Sequence, residues 1–211
     1  LAVNGLAVRW MAEACRRAGS HLVTISTDYV FSGEEPDPYV EWDLPRPLSA
    51  YGRSKLAGER EALDAGIGAT VVRTSWVCGE HGSNMVRTIL RLLDQGHHEL
   101  SFVDDQRGHP TLTADLAPML RRLAVDRRPG VHHVTNQGAV SWCDFAREVV
   151  QLVGRSPEMV RPITTAELQP PRPAPRPANS VLDNAVLRMS GLGPLPDFRE
   201  SLGGLVHRLR A

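Results

Sequence analysis

Tyr51 and Lys55 stand four residues apart in the segment YGRSK, and residues at i and i+4 share one face of a helix. A phenol and an ammonium aimed at one point suit the reversible protonation of a carbonyl oxygen. Both groups ordinarily titrate well above neutrality. A nearby positive charge favours phenolate over phenol, which brings the tyrosine toward working pH as an acid/base. Taken alone, the spacing also fits a surface pair of no consequence. Thr27 adds a second element, because it follows the run HLVTIS at what reads as the carboxyl end of a strand. Ligands of open α/β sheets bind beyond such ends, so its hydroxyl can reach the same carbonyl oxygen. Thr27 and Asp28 also read as an ordinary turn after a strand.

Positioning these groups requires a strand before Thr27 and a helix under Tyr51. His21–Ser26 is β-branched and apolar and predicts a buried strand. Ser49–Leu63 predicts a helix with Ser49 as its N-cap, and Ala69–Thr74 predicts the next strand. Strand, helix, strand at this spacing is a βαβ unit, which predicts a parallel sheet flanked by helices. Leu1–Ala18 reads as a helix ending at Gly19, and the proline-bearing stretch 31–49 as loop. Further helices are expected near Ser83–Gln95, Thr113–Val125 and Ser141–Val153, with strands at Glu99–Val103 and Val131–Thr135. Segment 155–180 holds the run PPRPAPRP, which favours extended polyproline geometry.

Composition narrows the partners. Twenty-four basic residues balance twenty-four acidic ones, so no electrostatic case exists for nucleic acid or a membrane surface. The longest apolar runs, such as Ala69–Val72, are too short to span a bilayer. Cys15, Cys78 and Cys143 are odd in number with no CxxC pair, as expected of free thiols in a reducing cytoplasm. His97–His98 and His132–His133 are adjacent pairs. Neighbours on a strand point to opposite faces, so neither makes a two-ligand metal site, and no metal is predicted.

STDYVF, the proline-bearing loop, YGRSKLAGE, VVRTSWV, DDQRGHPT and the closing RPANSVLD occur in that order. Together they resemble the dTDP-4-dehydrorhamnose reductases, extended short-chain dehydrogenase/reductases, along essentially all of Leu1–Ala211. The resemblance implies reduction of the C4 keto group of dTDP-4-dehydro-rhamnose to dTDP-L-rhamnose with NADPH or NADH. This is nucleotide-sugar biosynthesis for cell-surface polysaccharide. It implies Tyr51 as proton donor, Lys55 as the residue that holds the nicotinamide ribose and lowers the tyrosine pKa, and Thr27 as the orienting hydroxyl. Asp28 and Trp76 match positions in the sugar pocket. Asn84 and Arg176 match positions toward the nucleotide diphosphate, a task that suits the planar fork of arginine, although Arg176 also fits an exposed loop residue. Asn4 matches either a proton-relay asparagine or a helix cap. Cys78 departs from the aromatic usual after TrpVal and is expected to alter the sugar-pocket wall. Some members bind magnesium through acids at a dimer contact. A homodimer is compatible with the resemblance, but the acids are not identifiable here.

No G-x-x-G-x-x-G or G-x-G-x-x-G stands at a strand–helix junction, where glycines would let a helix N-terminus approach a pyrophosphate. The expected fold is therefore a partial Rossmann-like parallel sheet with flanking helices and a smaller C-terminal substrate lobe. The first mononucleotide-binding half is expected upstream of Leu1, and residues 1–211 alone are expected to be inactive. Residues 1–105 are expected to carry the remainder of the cofactor domain. Residues 106–211 are expected to form mainly the substrate lobe, with the chain crossing between the two. One alternative is a non-catalytic NADP-binding regulatory subunit resembling that of methionine adenosyltransferase. Another keeps the enzyme and changes the sugar to a different nucleotide-linked 4-keto-sugar.

Overall fold

The computed structural model describes all of Leu1–Ala211. Its helices are α1 (Ala7–Ala18), α2 (Ala50–Asp64), α3 (Met85–Asp94), α4 (Thr113–Val125), α5 (Trp142–Leu152), α6 (Ala185–Met189) and α7 (Phe198–Arg210). Its strands are β1 (Val23–Thr27), β2 (Thr70–Thr74), β3 (Val77–Cys78), β4 (Leu100–Val103), β5 (Arg107–Gly108), β6 (Thr111–Leu112), β7 (Gly130–His133), β8 (Val140–Ser141) and β9 (Val160–Ile163). β1, β2 and β7 form a parallel sheet in that order. Every residue of the central strand β2 is buried, as expected of a strand covered on both faces.

α1 and α2 cover one face of the sheet through Val8, Ala12, Ala62 and Val71. α4 packs Leu116, Met119 and Leu123 with Val72, Val134 and Leu187 in a second cluster. A larger cluster of 19 buried residues joins α3, β4, α5, β9 and α7. The sheet and this larger core both draw on residues from both sides of position 105.

Three features depart from the sequence expectation. The first helix opens as a π-helical turn, Ala2–Leu6, before running into α1, which closes at Gly19 in the left-handed region (φ 63°). Asn4 does not cap it. Its Nδ2 donates to Ser54 Oγ on α2 at 3.0 Å. Strand β9 lies within the proline-rich stretch and includes Pro162, but it pairs only with β4, and an edge strand tolerates the missing proline donor. Finally, α6 and α7 close the chain. The apolar stripe Phe198, Leu202, Leu205 and Val206 buries α7 against the larger core.

Candidate active site

Thr27 and Thr74 are register partners, so β1 and β2 end level. Asp28 leaves from one end, Ser75 and Trp76 from the other. Thr27 caps the short turn Asp28–Val30 by accepting from Tyr29 N at 3.2 Å, and its hydroxyl donates to Asp28 Oδ1 at 2.9 Å. The helix under Tyr51 begins where the sequence predicts, with Ser49 Oγ accepting from Gly52 N at 3.0 Å. Gly52 lets α2 press on this turn, since a Cβ there would lie 2.1 Å from Tyr29 O. The Tyr51 ring therefore stands edge-on to Tyr29, with centroids 6.2 Å apart and planes at 83°. Its phenol lies within reach of the Thr27 hydroxyl's influence, with no direct hydrogen bond between them in the free protein. Lys55 follows one helical turn on, half-buried and with no hydrogen bond or ion pair in the protein, so its three N–H donors are uncommitted.

The electrostatics differ from expectation at Tyr51. Its pKa is raised, first by burial and further by the charge of Asp28, while the Thr27 hydroxyl pulls it down. Lys55 is not among the causes, so the expected lowering by its ammonium is not seen in the free protein and desolvation sets the direction. Lys55 itself is lowered by burial, against an upward pull from Glu59. Burial pushes Asp28 up to about 6, opposed by the Thr27 hydroxyl, which donates to it, and by the nearby Ser180, whose Oγ donates to Arg107 O. Asp28 is 2% exposed and its Oδ2 has no partner.

Beneath the site lies a buried ion pair absent from the sequence expectation. Arg73 reaches Glu59 through Nε at 3.0 Å and Nη2 at 2.7 Å. Ser26 donates to the same carboxylate, and the Phe31 ring lies 5.1 Å from the guanidinium carbon. The signal was in the sequence: Glu59 continues the i, i+4 series begun by Tyr51 and Lys55. Arg172 and Ser180 were missed as well. Burial and then Asp28 push Tyr29 up to about 12, while Arg176 and Arg172 pull it down, which places both guanidiniums near that ring. Arg172 and Arg176 are both half-buried, and neither has a hydrogen bond or ion pair.

Trp76 adopts a left-handed backbone (φ 46°), a conformation costing about 1–3 kcal/mol for such a residue. Its indole stacks on Trp142 at 3.5 Å with planes 8° apart, and a Cβ at residue 108 would lie 2.7 Å from it. The half-buried ring is thus fixed two residues beyond the end of β2. Asn84 is not brought to this cluster by any contact. It caps α3, accepting from Arg87 N at 3.2 Å and donating to Gly79 O at 2.8 Å, so both of its polar ends are engaged. Cys78 lies in the core, 1% exposed, with burial pushing its thiol to about 11. It also borders a cavity of about 410 Å³ between the Gly79–His81 turn, α4 and α7, which Thr27, Tyr51 and Trp76 do not line. No group of three or more His, Cys, Asp or Glu side chains is placed to hold a metal ion, and no helix is long and apolar enough to cross a membrane.

The raised Asp28 gives a signed stability prediction. A carboxyl whose pKa rises on folding favours the fold most below its unfolded value, and that contribution is lost as pH climbs through about 6. Asp28→Asn removes the cost of burying the charge. Denaturant unfolding should show the variant more stable than the parent by up to about 3 kcal/mol at pH 8. The difference should shrink or vanish near pH 4. An unchanged difference across that range would show that the carboxyl is not buried as a charge.

The whole chain, residues 1–211, matches the family described as the RmlD substrate binding domain. It is 47% identical over 204 residues to a probable dTDP-4,6-dihydroxy-2-methyloxan-3-one 4-ketoreductase of Streptomyces antibioticus, covering 95% of this chain and 68% of that protein. It is 44% identical over 207 residues to the dTDP-4-dehydrorhamnose reductase of Mycobacterium tuberculosis, covering 95% and 67%. A crystal structure of the dTDP-4-dehydrorhamnose reductase of Bacillus anthracis in complex with NADP superposes with a TM-score of 0.91 at 36% identity, covering 97% and 72%. On the motifs, the parallel sheet and these matches, the chain belongs to the dTDP-4-dehydrorhamnose reductase family.

Proposed function

We propose that this protein reduces the C4 keto group of dTDP-4-dehydro-rhamnose to dTDP-L-rhamnose with NADPH or NADH. The packing of the start of α2 onto the turn after Thr27, which sets Tyr51 beside the carboxyl end of β1 with Lys55 one turn on, carries the reading. A reduced nicotinamide supplies the hydride. Tyr51 gives its proton to the sugar oxygen as negative charge develops there, and Thr27 orients that oxygen. The unpaired, half-buried Lys55 ammonium fits the hydroxyls of a nicotinamide ribose, which accept where it donates. Asp28 and the fixed face of Trp76 border the sugar. We assign the β1–β2–β7 layer to the cofactor side and the larger core to the substrate lobe, and place the enzyme in the cytoplasm. The names of the relatives do not favour a non-catalytic regulatory role.

Two relatives of similar identity act on different dTDP-linked 4-keto-sugars by name, so the sugar is the part most in need of a test. The full-length protein, given NADPH and each of the two keto-sugars separately, should oxidise cofactor faster with dTDP-4-dehydro-rhamnose. Faster turnover of the other sugar would reassign the substrate, and turnover of neither would overturn the reading.

We assign Arg176 to the diphosphate, joined by Arg172. A charge-assisted hydrogen bond contributes roughly 1.5–3 kcal/mol, so Arg176→Ala should weaken sugar-nucleotide binding about tenfold to a hundredfold. Cofactor affinity should scarcely change. Arg176→Lys should recover only part of the loss, because an ammonium cannot pair bidentately. Calorimetric titration of both ligands checks this, and undiminished sugar-nucleotide affinity would leave Arg176 as an ordinary loop residue.

A further inference from the structure

The Thr27 hydroxyl has one proton and two lone pairs. One lone pair receives Tyr29 N–H at 3.2 Å, and the proton goes to Asp28 Oδ1 at 2.9 Å. What remains to face Tyr51 is a lone pair. While Asp28 is ionised, Thr27 can therefore only accept from the phenol. The chain of protons then runs Tyr51 to Thr27 to Asp28, which favours phenol and leaves nothing for Thr27 to give to a phenolate. A neutral Asp28 reverses the chain. Its own O–H can donate to Thr27, whose proton then turns toward Tyr51 and stabilises the phenolate.

The surroundings allow that reversal. Asp28 is 2% exposed with Oδ2 unpartnered, so burial opposes its ionised form and no counter-charge offsets that. Tyr29 faces it from its own turn, Tyr51 from α2, and Ser180 from the segment after the proline-rich run. Lys55 is one turn further along α2, and Arg172 and Arg176 act on Tyr29. None of these cations pairs with Asp28.

We propose that Asp28 is a positioning residue that sets the direction of this hydroxyl chain. Ionised, it draws the Thr27 proton to itself; neutral, it returns that proton toward Tyr51. The role rests on reading Tyr51 as the acid/base.

The test needs no substrate, so it stands apart from the assay of function. Tyr51 is titrated by phenolate absorbance as the difference between the protein and its Tyr51→Phe variant, then again in an Asp28→Asn background. The Asn amide donates to Thr27 as a neutral carboxyl would. The Tyr51 midpoint should fall by about one pH unit or more, a tenfold or larger change in acidity. In a Thr27→Val background the same Asp28→Asn change should produce less than half that fall, because only the charge is then removed. Should Asp28→Asn fail to fold by circular dichroism, Asp28→Ala also frees the Thr27 proton and should move the midpoint in the same direction. An unmoved or raised midpoint overturns the proposal. So does a fall that survives intact without the Thr27 hydroxyl, which would leave Asp28 acting by charge alone.

Discussion

Tyr51→Phe should lower kcat of the full-length protein about 10²–10⁴-fold, the usual contribution of a positioned general acid. The substitution removes one oxygen from a ring that is 49% exposed and held edge-on to Tyr29, so the fold has little to lose. The phenol acts on charge that develops only as the carbonyl is reduced. Its loss should therefore appear in kcat and kcat/KM together, with sugar-nucleotide affinity nearly intact. Steady-state kinetics beside a direct binding measurement separates the two effects. Near-parental turnover would sink the acid/base assignment. A large rise in KM at constant kcat would reduce Tyr51 to a binding contact.

The second large effect is on stability. Glu59→Ala leaves Arg73 charged and buried, with only Glu41 O at 3.3 Å, His133 at 3.4 Å and the Phe31 ring for company. Burial, and then the charge of Arg73, hold His133 down at about 3, so it stays neutral, and an imidazole has no negative charge with which to replace the carboxylate. Breaking a buried pair from one side typically costs about 3–5 kcal/mol, a large share of the stability of any domain. Chemical denaturation at pH 7 should show a loss of that size. Glu59→Gln keeps an oxygen for Arg73 and should lose less. If both variants unfold at the parental midpoint, the pair contributes specificity and not stability. Removing Glu59 also takes away the charge that pulls Lys55 upward, so the lysine should titrate lower in any variant that still folds.

Much of this site was legible because its chemistry sits on regular elements. Thr27 ends a β-branched strand and Tyr51 and Lys55 share a helical face, and both patterns are periodic and local. The direction of the Tyr51 shift was not legible. It depends on how much of the ring is desolvated against Tyr29 and the strand ends, and spacing along a helix carries no measure of burial. Glu59 was within reach of the i+4 rule, but its partner Arg73 lies on another strand, and only the register of β1 with β2 brings Ser26, Glu59 and Arg73 together. Ser180 and Arg172 approach from more than a hundred residues away in the chain. Their segment is proline-rich and nearly without periodicity, so no sequence pattern announces where it folds back. Asn84 shows the converse: a matched position whose amide is engaged in capping a helix. α7 carries a clear apolar stripe, but which surface it would cover depends on the core built by α3, α5 and β4.

The order of the central sheet bears on how the protein is made. β2 is flanked by β1 and by β7, so its second edge stays open until Gly130–His133 has left the ribosome. A nascent chain that already displays Thr27, Tyr51 and Lys55 still exposes the unpaired backbone of an apolar strand, which is a template for pairing with other chains. The contact that covers it spans about sixty residues of intervening chain, from Thr70 to Gly130, and closing such separations is what slows folding. Expression yield should therefore depend more on the speed with which the segment from α4 to β7 docks than on the residues of the site.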